Sequence, residues 1–81
     1  MIEENDIIKA NKRINNEIAE GTEGVILYVF DHGKEFLIEF VDNNGDTIGN
    51  GMETVKLEDI NLLIKIKNSI PSSDADMQTG Q

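Results

Sequence analysis

The sequence contains no cysteine and no tryptophan, and it has one proline and one histidine. Without cysteine the chain forms neither disulfide bonds nor thiolate metal sites, and it has no thiol nucleophile. This composition suits a reducing compartment, so we expect a cytoplasmic protein. The N-terminal residues lack the basic segment and apolar run of a signal peptide, and no stretch approaches the roughly 18 apolar residues of a membrane span. We therefore expect no membrane association.

Basic residues are also scarce, because seven Lys and Arg stand against sixteen Asp and Glu, giving a formal charge of −9. Such a charge repels phosphate backbones and anionic lipids and attracts cationic proteins, although solubility alone is a competing interpretation. A chain of 81 residues allows one domain with a small core and little room for an enclosed active site. The composition favours protein binding over nucleic-acid binding.

Patterns that would indicate catalysis or metal binding are weak. The one imidazole, His32, lies between Asp31 and Gly33, where a solvated turn residue is a better interpretation than a catalytic base. A calcium-loop pattern places oxygen ligands at positions 1, 3, 5 and 12, but its required glycine is replaced by Thr47. The four residues that fit this pattern are Asp42, Asn44, Asp46 and Glu53. We predict no enzyme activity, no metal ion and no cofactor.

Consecutive β-forming residues predict a hairpin over residues 25–41. The strand at 25–30 is followed by a turn at 31–34 and a second strand at 35–41. Apolar side chains alternate along this second strand with Glu35, Leu37 and Glu39, which predicts one buried face. The residues expected to be buried are Phe36, Ile38 and Phe40.

The rest of the chain predicts shorter elements. Residues 6–10 predict a first strand and 11–24 a long loop, although Ile14 and Ile18 leave open a short helix over 13–19. Later elements are a turn at 42–46, a strand at 47–56 bent at Gly49 and Gly51, a helical turn at 57–60, and a strand at 62–67.

This order of elements predicts an all-β fold, a small five-stranded SH3-like barrel with a one-turn helix before the last strand. The barrel is expected over residues 1–68. Residues 69–81 offer almost nothing to bury and predict a disordered polar tail.

Several segments resemble a family of small bacterial SH3-like proteins of unassigned function. The family patterns are Asp-Val-Val, Gly-Asp-x-Gly-Thr-Val, Asp-Gly-x-x-Tyr-x-Val-Glu-Phe and Asp-Gly-x-Thr. The similar segments, within residues 5–60, are 6–8, 21–26, 31–33, 36–42 and 45–48, and the chain departs from the pattern at Asn50 and Gly51. The resemblance implies a fold and no activity, and some such proteins resemble immunity partners encoded beside toxins.

The outward face of the 25–41 hairpin predicts a contact surface. Tyr28 and Leu37 are expected there among three acids, Glu35, Glu39 and Asp42. An apolar anchor with an acidic rim suits a cationic protein, whereas the alternative is that Tyr28 and Leu37 cover the edges of the core. We predict that these five residues bind the partner.

The expected function is therefore that of a small acidic protein-binding module. An immunity protein or antitoxin that inhibits a basic bacterial toxin or nuclease is the form that the charge and the resemblance favour. Two alternatives remain open, an accessory subunit docked through an edge strand of a larger complex and an SH3-like nucleic-acid-binding barrel. The latter would use Lys9, Lys12, Arg13, Lys65 and Lys67, a small basic patch on an acidic body, so we do not expect nucleic acid as the partner.

Overall fold

The computed structural model describes residues 1–66, and the fold is all-β as predicted. One antiparallel sheet contains all five strands. They are β1 (Ile7–Ala10), β2 (Glu23–Phe30), β3 (Glu35–Val41), β4 (Glu53–Lys56) and β5 (Ile60–Ile64). The predicted tail at 69–81 lies outside the described residues.

The strand order is β4-β3-β2-β1-β5, so the first and last strands are neighbours. The 3-10 turn Leu57–Asp59 precedes β5, which confirms the helical turn expected before the last strand. Within residues 1–66, β4 and β5 do not pair, so hydrogen bonds do not close the sheet. Closure into an SH3-like barrel therefore stays a prediction.

The core lies on one face of the sheet. In β3 every second residue is buried, which confirms that Phe36, Ile38 and Phe40 face inward. The other four strands and the loop between β1 and β2 supply the remaining apolar groups. The buried hydrophobic residues are Ile8, Ala10, Ile18, Ile26, Phe36, Ile38, Phe40, Val55 and Ile60.

The long connection between β1 and β2 is a loop, and the alternative of a helix over residues 13–19 is wrong. The reason is local, because Asn15 Oδ1 accepts hydrogen bonds from the backbone N–H groups of Glu17, at 2.8 Å, and Ile18, at 3.0 Å. The resulting turn directs Ile18 into the core, where it is fully buried. The loop therefore contributes to packing.

Strand β2 begins at Glu23, two residues before the predicted start, because Glu23 and Gly24 pair with β1. Gly24, the last residue of the predicted loop, is required by close packing. A Cβ atom there would lie 2.7 Å from Ile38 Cγ2 and 3.0 Å from the carbonyl oxygen of Glu39. Only glycine allows the two strands to approach this closely.

The predicted strand over residues 47–56 is wrong in its first half. Thr47 forms an isolated bridge with Val41, and regular pairing resumes only at Glu53. Gly49 and Gly51 have φ angles of +69° and +104°, which take the chain out of the extended conformation between these points. The bend that these glycines predicted is present.

The last strand also differs from its prediction, since it spans Ile60–Ile64 and not residues 62–67. Ile60 pairs with Ala10 and is buried, which fixes the start of β5. The register shifts between Ile8, which faces Leu62, and Ile7, which faces Ile64. This bulge interrupts the simple alternation from which the strand was predicted.

Truncation of Ile38 tests the core. Ile38→Ala should lower the free energy of unfolding by about 2 to 5 kcal/mol, because the side chain is fully buried between strands. Ile64→Ala is the matched control, since it removes the same atoms from a residue that is 52% exposed. Urea denaturation followed by circular dichroism measures both, and equal losses would contradict the facing assigned to β3.

Candidate functional site

The side chains exposed on the hairpin are set by a bulge in β2. Ile26 faces Ile38 across the sheet, but Tyr28 faces Leu37, so Leu27 is an extra residue without a partner in β3. Strict alternation would direct Tyr28 to the same side as Ile26. The bulge reverses the direction, and Tyr28 is 52% exposed while Ile26 is fully buried.

The outer face of the hairpin carries an apolar cluster, the hairpin patch, formed by Tyr28, Phe30 and Leu37. The rings of Tyr28 and Phe30 lie 4.9 Å apart between centroids at an angle of 60°. Leu37 is directly opposite Tyr28 on β3, and Phe30 is 37% exposed. Phe30 was not among the predicted site residues, although it follows Tyr28 by two residues and simple alternation from Tyr28 would have placed it on the same face.

Two acids flank the hairpin patch on β3. Glu35 and Glu39 lie two residues to either side of Leu37, so all three share the outer face. Glu35 faces Lys56 across the β3–β4 pairing, which lowers the net negative charge at that end. Glu39 accepts a hydrogen bond from the Thr47 hydroxyl. Of the five predicted site residues, four lie together on this face: Tyr28, Glu35, Leu37 and Glu39.

Asp42 stands apart from the other four. It follows β3 and stabilises the next turn, where its Oδ1 accepts the backbone N–H groups of Asn44, at 2.8 Å, and Asp46, at 3.0 Å. Gly45, at φ +83°, completes this turn. The carboxylate of Asp42 therefore stabilises the turn that follows β3.

The cations of the predicted basic patch are largely engaged. Lys65 Nζ is 2.8 Å from Asp6 Oδ2 and 3.3 Å from Glu3 Oε1. Lys12 Nζ lies 3.9 Å from Asp59, and Arg13 donates hydrogen bonds to backbone carbonyls of its own loop. Strands β1 and β5 are adjacent as expected. Within residues 1–66, Lys12 and Lys65 are ion-paired, whereas the exposed Lys9 and Arg13 form no ion pair, and Lys67 lies outside the described residues.

Asp6 is the one fully buried charged residue among residues 1–66, and the sequence analysis placed it only as the start of a strand. Its Oδ2 accepts the backbone N–H of Glu3 at 2.8 Å as well as Lys65 Nζ, and its Oδ1 accepts the backbone N–H of Ile66 at 2.9 Å. Both oxygens are occupied by donors from the two ends of the described chain. This arrangement is structural, since it leaves no oxygen directed at a ligand.

Burial removes water from the Asp6 carboxylate and by itself raises its pKa. The hydrogen bonds from Lys65, Glu3 and Ile66 outweigh burial, so that the pKa of Asp6 lies below its ordinary value of 3.8. The hydrogen bond to Asp6 raises the pKa of Lys65 above 10.5. The pair is therefore ionised at neutral pH.

Other chemical features of the described chain are few. His32 is exposed in the turn between β2 and β3, with a φ angle of +55°. Across residues 1–66, no group of three or more His, Asp and Glu side chains is arranged to hold a metal ion. In the same part of the chain, no helix has the length and hydropathy needed to cross a membrane. No family model, curated protein or solved structure matches this chain.

Replacing Asp6 tests the buried cluster. Asp6→Asn should lower the free energy of unfolding at pH 7 by roughly 2 to 4 kcal/mol, because it removes a buried charge from its donors. Glu3→Gln is the matched control, since Glu3 also contacts Lys65 but its side chain is 56% exposed, and it should cost about 0.5 kcal/mol or less.

The effect of Asp6 should depend on pH. Since its pKa is lowered on folding, the ionised carboxylate stabilises the fold above pH 3.8, and this contribution is lost as the pH falls through the lower folded pKa. The stability difference between wild type and Asp6→Asn should thus be constant near neutrality and shrink below about pH 4. Urea denaturation at a series of pH values measures it, and a difference that grew towards acid pH would contradict the assigned direction.

Proposed function

We propose that this chain is a non-catalytic binding module that holds a cationic protein against the hairpin patch. The observation that carries the proposal is that the exposed side chain of Tyr28 lies directly opposite the half-buried Leu37, with the exposed Phe30 extending the same apolar surface. Buried aromatic anchors supply much of the energy of protein interfaces. Three adjacent apolar side chains on an outer sheet face provide such an anchor.

Rigidity of the surface supports the proposal. The strands that carry the hairpin patch are paired along their length except at Leu27, and their inner face packs through Ile26, Phe36 and Ile38. Side chains on such a backing lose little conformational freedom on binding, which favours affinity. Aromatic rings add contact area with few rotatable bonds.

Charge supports a cationic partner. Glu35 and Glu39 flank Leu37, and the chain as a whole has a formal charge of −9. Complementary charge at the rim of an interface accelerates encounter and disfavours acidic partners. The apolar centre then determines how long the complex lasts.

A basic bacterial toxin or nuclease is the class of partner that we propose. A nuclease binds phosphate backbones through Lys and Arg. An acidic sheet that covers those cations would compete with the nucleic acid, which is how an immunity protein or antitoxin of this kind would inhibit. The resemblance of segments within residues 5–60 to small bacterial SH3-like proteins adds context to this role.

Of the alternatives, the accessory subunit has one supporting observation, which is that β5 is an edge strand with exposed apolar side chains. A nucleic-acid-binding barrel has less support, because Lys12 and Lys65 are engaged by Asp59 and Asp6. We therefore retain the cationic protein as the partner.

Two double variants separate the roles of the hairpin patch and its acidic rim. The partner is first captured from a lysate of the native cells on immobilised full-length chain and identified. Tyr28→Ala with Leu37→Ala should then raise its dissociation rate by roughly 10- to 100-fold, as loss of a buried anchor does. Glu35→Lys with Glu39→Lys should slow association by about tenfold at low salt and weaken its salt dependence. Surface plasmon resonance measures both rates.

Matched control variants test whether the changes in association and dissociation rate come from the hairpin patch and its acidic rim. Glu4→Lys with Glu20→Lys changes the net charge equally at exposed positions outside the strands, and Met52→Ala removes an apolar side chain that is 54% exposed. These variants should alter the rates less than the variants of the hairpin and its rim. Equal effects of the two charge reversals would show that overall charge alone drives association, and unchanged binding by Tyr28→Ala with Leu37→Ala would reject the hairpin patch as the site.

A further inference from the structure

Strand β5 is an edge strand of the sheet, with a register shift on its β1 side between Leu62 and Ile64. One edge of β5 pairs with β1, and among residues 1–66 no strand pairs with its other edge. Four apolar side chains in and just after the strand are exposed: Leu62 (43%), Leu63 (43%), Ile64 (52%) and Ile66 (38%). An apolar edge strand with unpaired backbone groups favours pairing with a further strand.

The opposite edge is different. Strand β4 has only four residues, with Glu53 and Lys56 at its ends, and its one large apolar side chain, Val55, is already buried. A short and charged edge is a common protection against unwanted pairing. Of the two edges of the sheet, β5 is therefore the one suited to pairing with a further strand.

Lys65 is the one charged residue between Ile60 and Ile66, and lysine on an edge strand normally opposes association. Here its charge is neutralised by Asp6 and Glu3, and its Nζ also donates a hydrogen bond to the carbonyl oxygen of Met1. The ammonium group is thus held against the N-terminal segment. The edge keeps its apolar residues and loses its electrostatic protection.

The segment is also complementary to itself. We consider two copies of β5 that pair antiparallel about a twofold axis at Leu63. In this register Leu62 of one copy faces Ile64 of the other, Asn61 faces Lys65, and Ile60 faces Ile66. The exposed residues Leu62, Leu63 and Ile64 then meet apolar residues of the other copy, and no two like charges are opposed. We propose that a second copy of this chain occupies the β5 edge, joining two sheets into one through an antiparallel β5–β5 pair.

The contact would be small and its affinity modest. Stable interfaces bury roughly 1,200 to 2,000 Å², and a single strand pair with four half-exposed side chains from each copy lies at or below that range. Each copy has a formal charge of −9, so repulsion opposes the dimer. Added salt should therefore strengthen this association, whereas it should weaken binding of a cationic protein to the hairpin patch.

Sedimentation equilibrium of the full chain tests the dimer. Wild type should shift from monomer to dimer as concentration rises over a range of about 10 µM to 1 mM, and the shift should occur at lower concentration in higher salt. Leu63→Lys introduces two facing charges at the twofold axis and should weaken association by at least tenfold. Met52→Lys, the same change at a residue that is 54% exposed outside β5, should leave association unchanged. Circular dichroism confirms that each variant is folded.

The absence of cysteine allows a direct test of the pairing. Leu63→Cys places one thiol on each copy, and facing residues of an antiparallel pair lie within the Cα distance that a disulfide spans. Mild oxidation should link this variant much faster than Met52→Cys, as measured on non-reducing gels. A wild type that stays monomeric at every concentration and salt level would overturn the proposal and assign the edge to another occupant. A dimer unaffected by Leu63→Lys would overturn the assignment to β5.

Discussion

The extra residue at Leu27 determines which side chains the sheet exposes. Before it, Ile26 points inward against Ile38, and after it Tyr28 and Phe30 turn outward although they share the parity of Ile26. A small sheet buries one face only, so a single unpaired residue is enough to move an aromatic pair from core to surface. The proposed binding surface follows from this bulge, and the core is completed without these rings by aliphatic residues and two phenylalanines.

A second constraint acts at the opposite side of the sheet. Asp6 joins the N-terminal segment to the residues that follow β5, because its donors come from Glu3, Lys65 and Ile66. The same contact withdraws the charge that would protect the β5 edge. In the strand order β4-β3-β2-β1-β5, the hairpin patch and this edge occupy different strands. A dimer formed through β5 would therefore present two hairpin patches and favour a partner with two sites.

Sequence patterns predicted the fold class and the hairpin because both depend on local alternation. The alternation in β3 and the glycines around residue 50 indicated the buried face and the bend. The insertion of Ile18 depends on a loop hydrogen bond to Asn15, and the burial of Asp6 depends on donors that include residues some sixty positions away. Such contacts between distant or irregular segments have no periodic signal. Barrel closure and the partner stay predictions.

Fluorescence of Tyr28 tests the central claim, the outward orientation of the hairpin patch, most directly. Tyr28 is the one tyrosine and the chain has no tryptophan, so intrinsic emission reports this side chain alone. With about half of its surface exposed, Tyr28 in the folded protein should be quenched by acrylamide to a substantial fraction of the extent found in urea. Emission that resists acrylamide until the protein unfolds would place Tyr28 in the core and contradict the account.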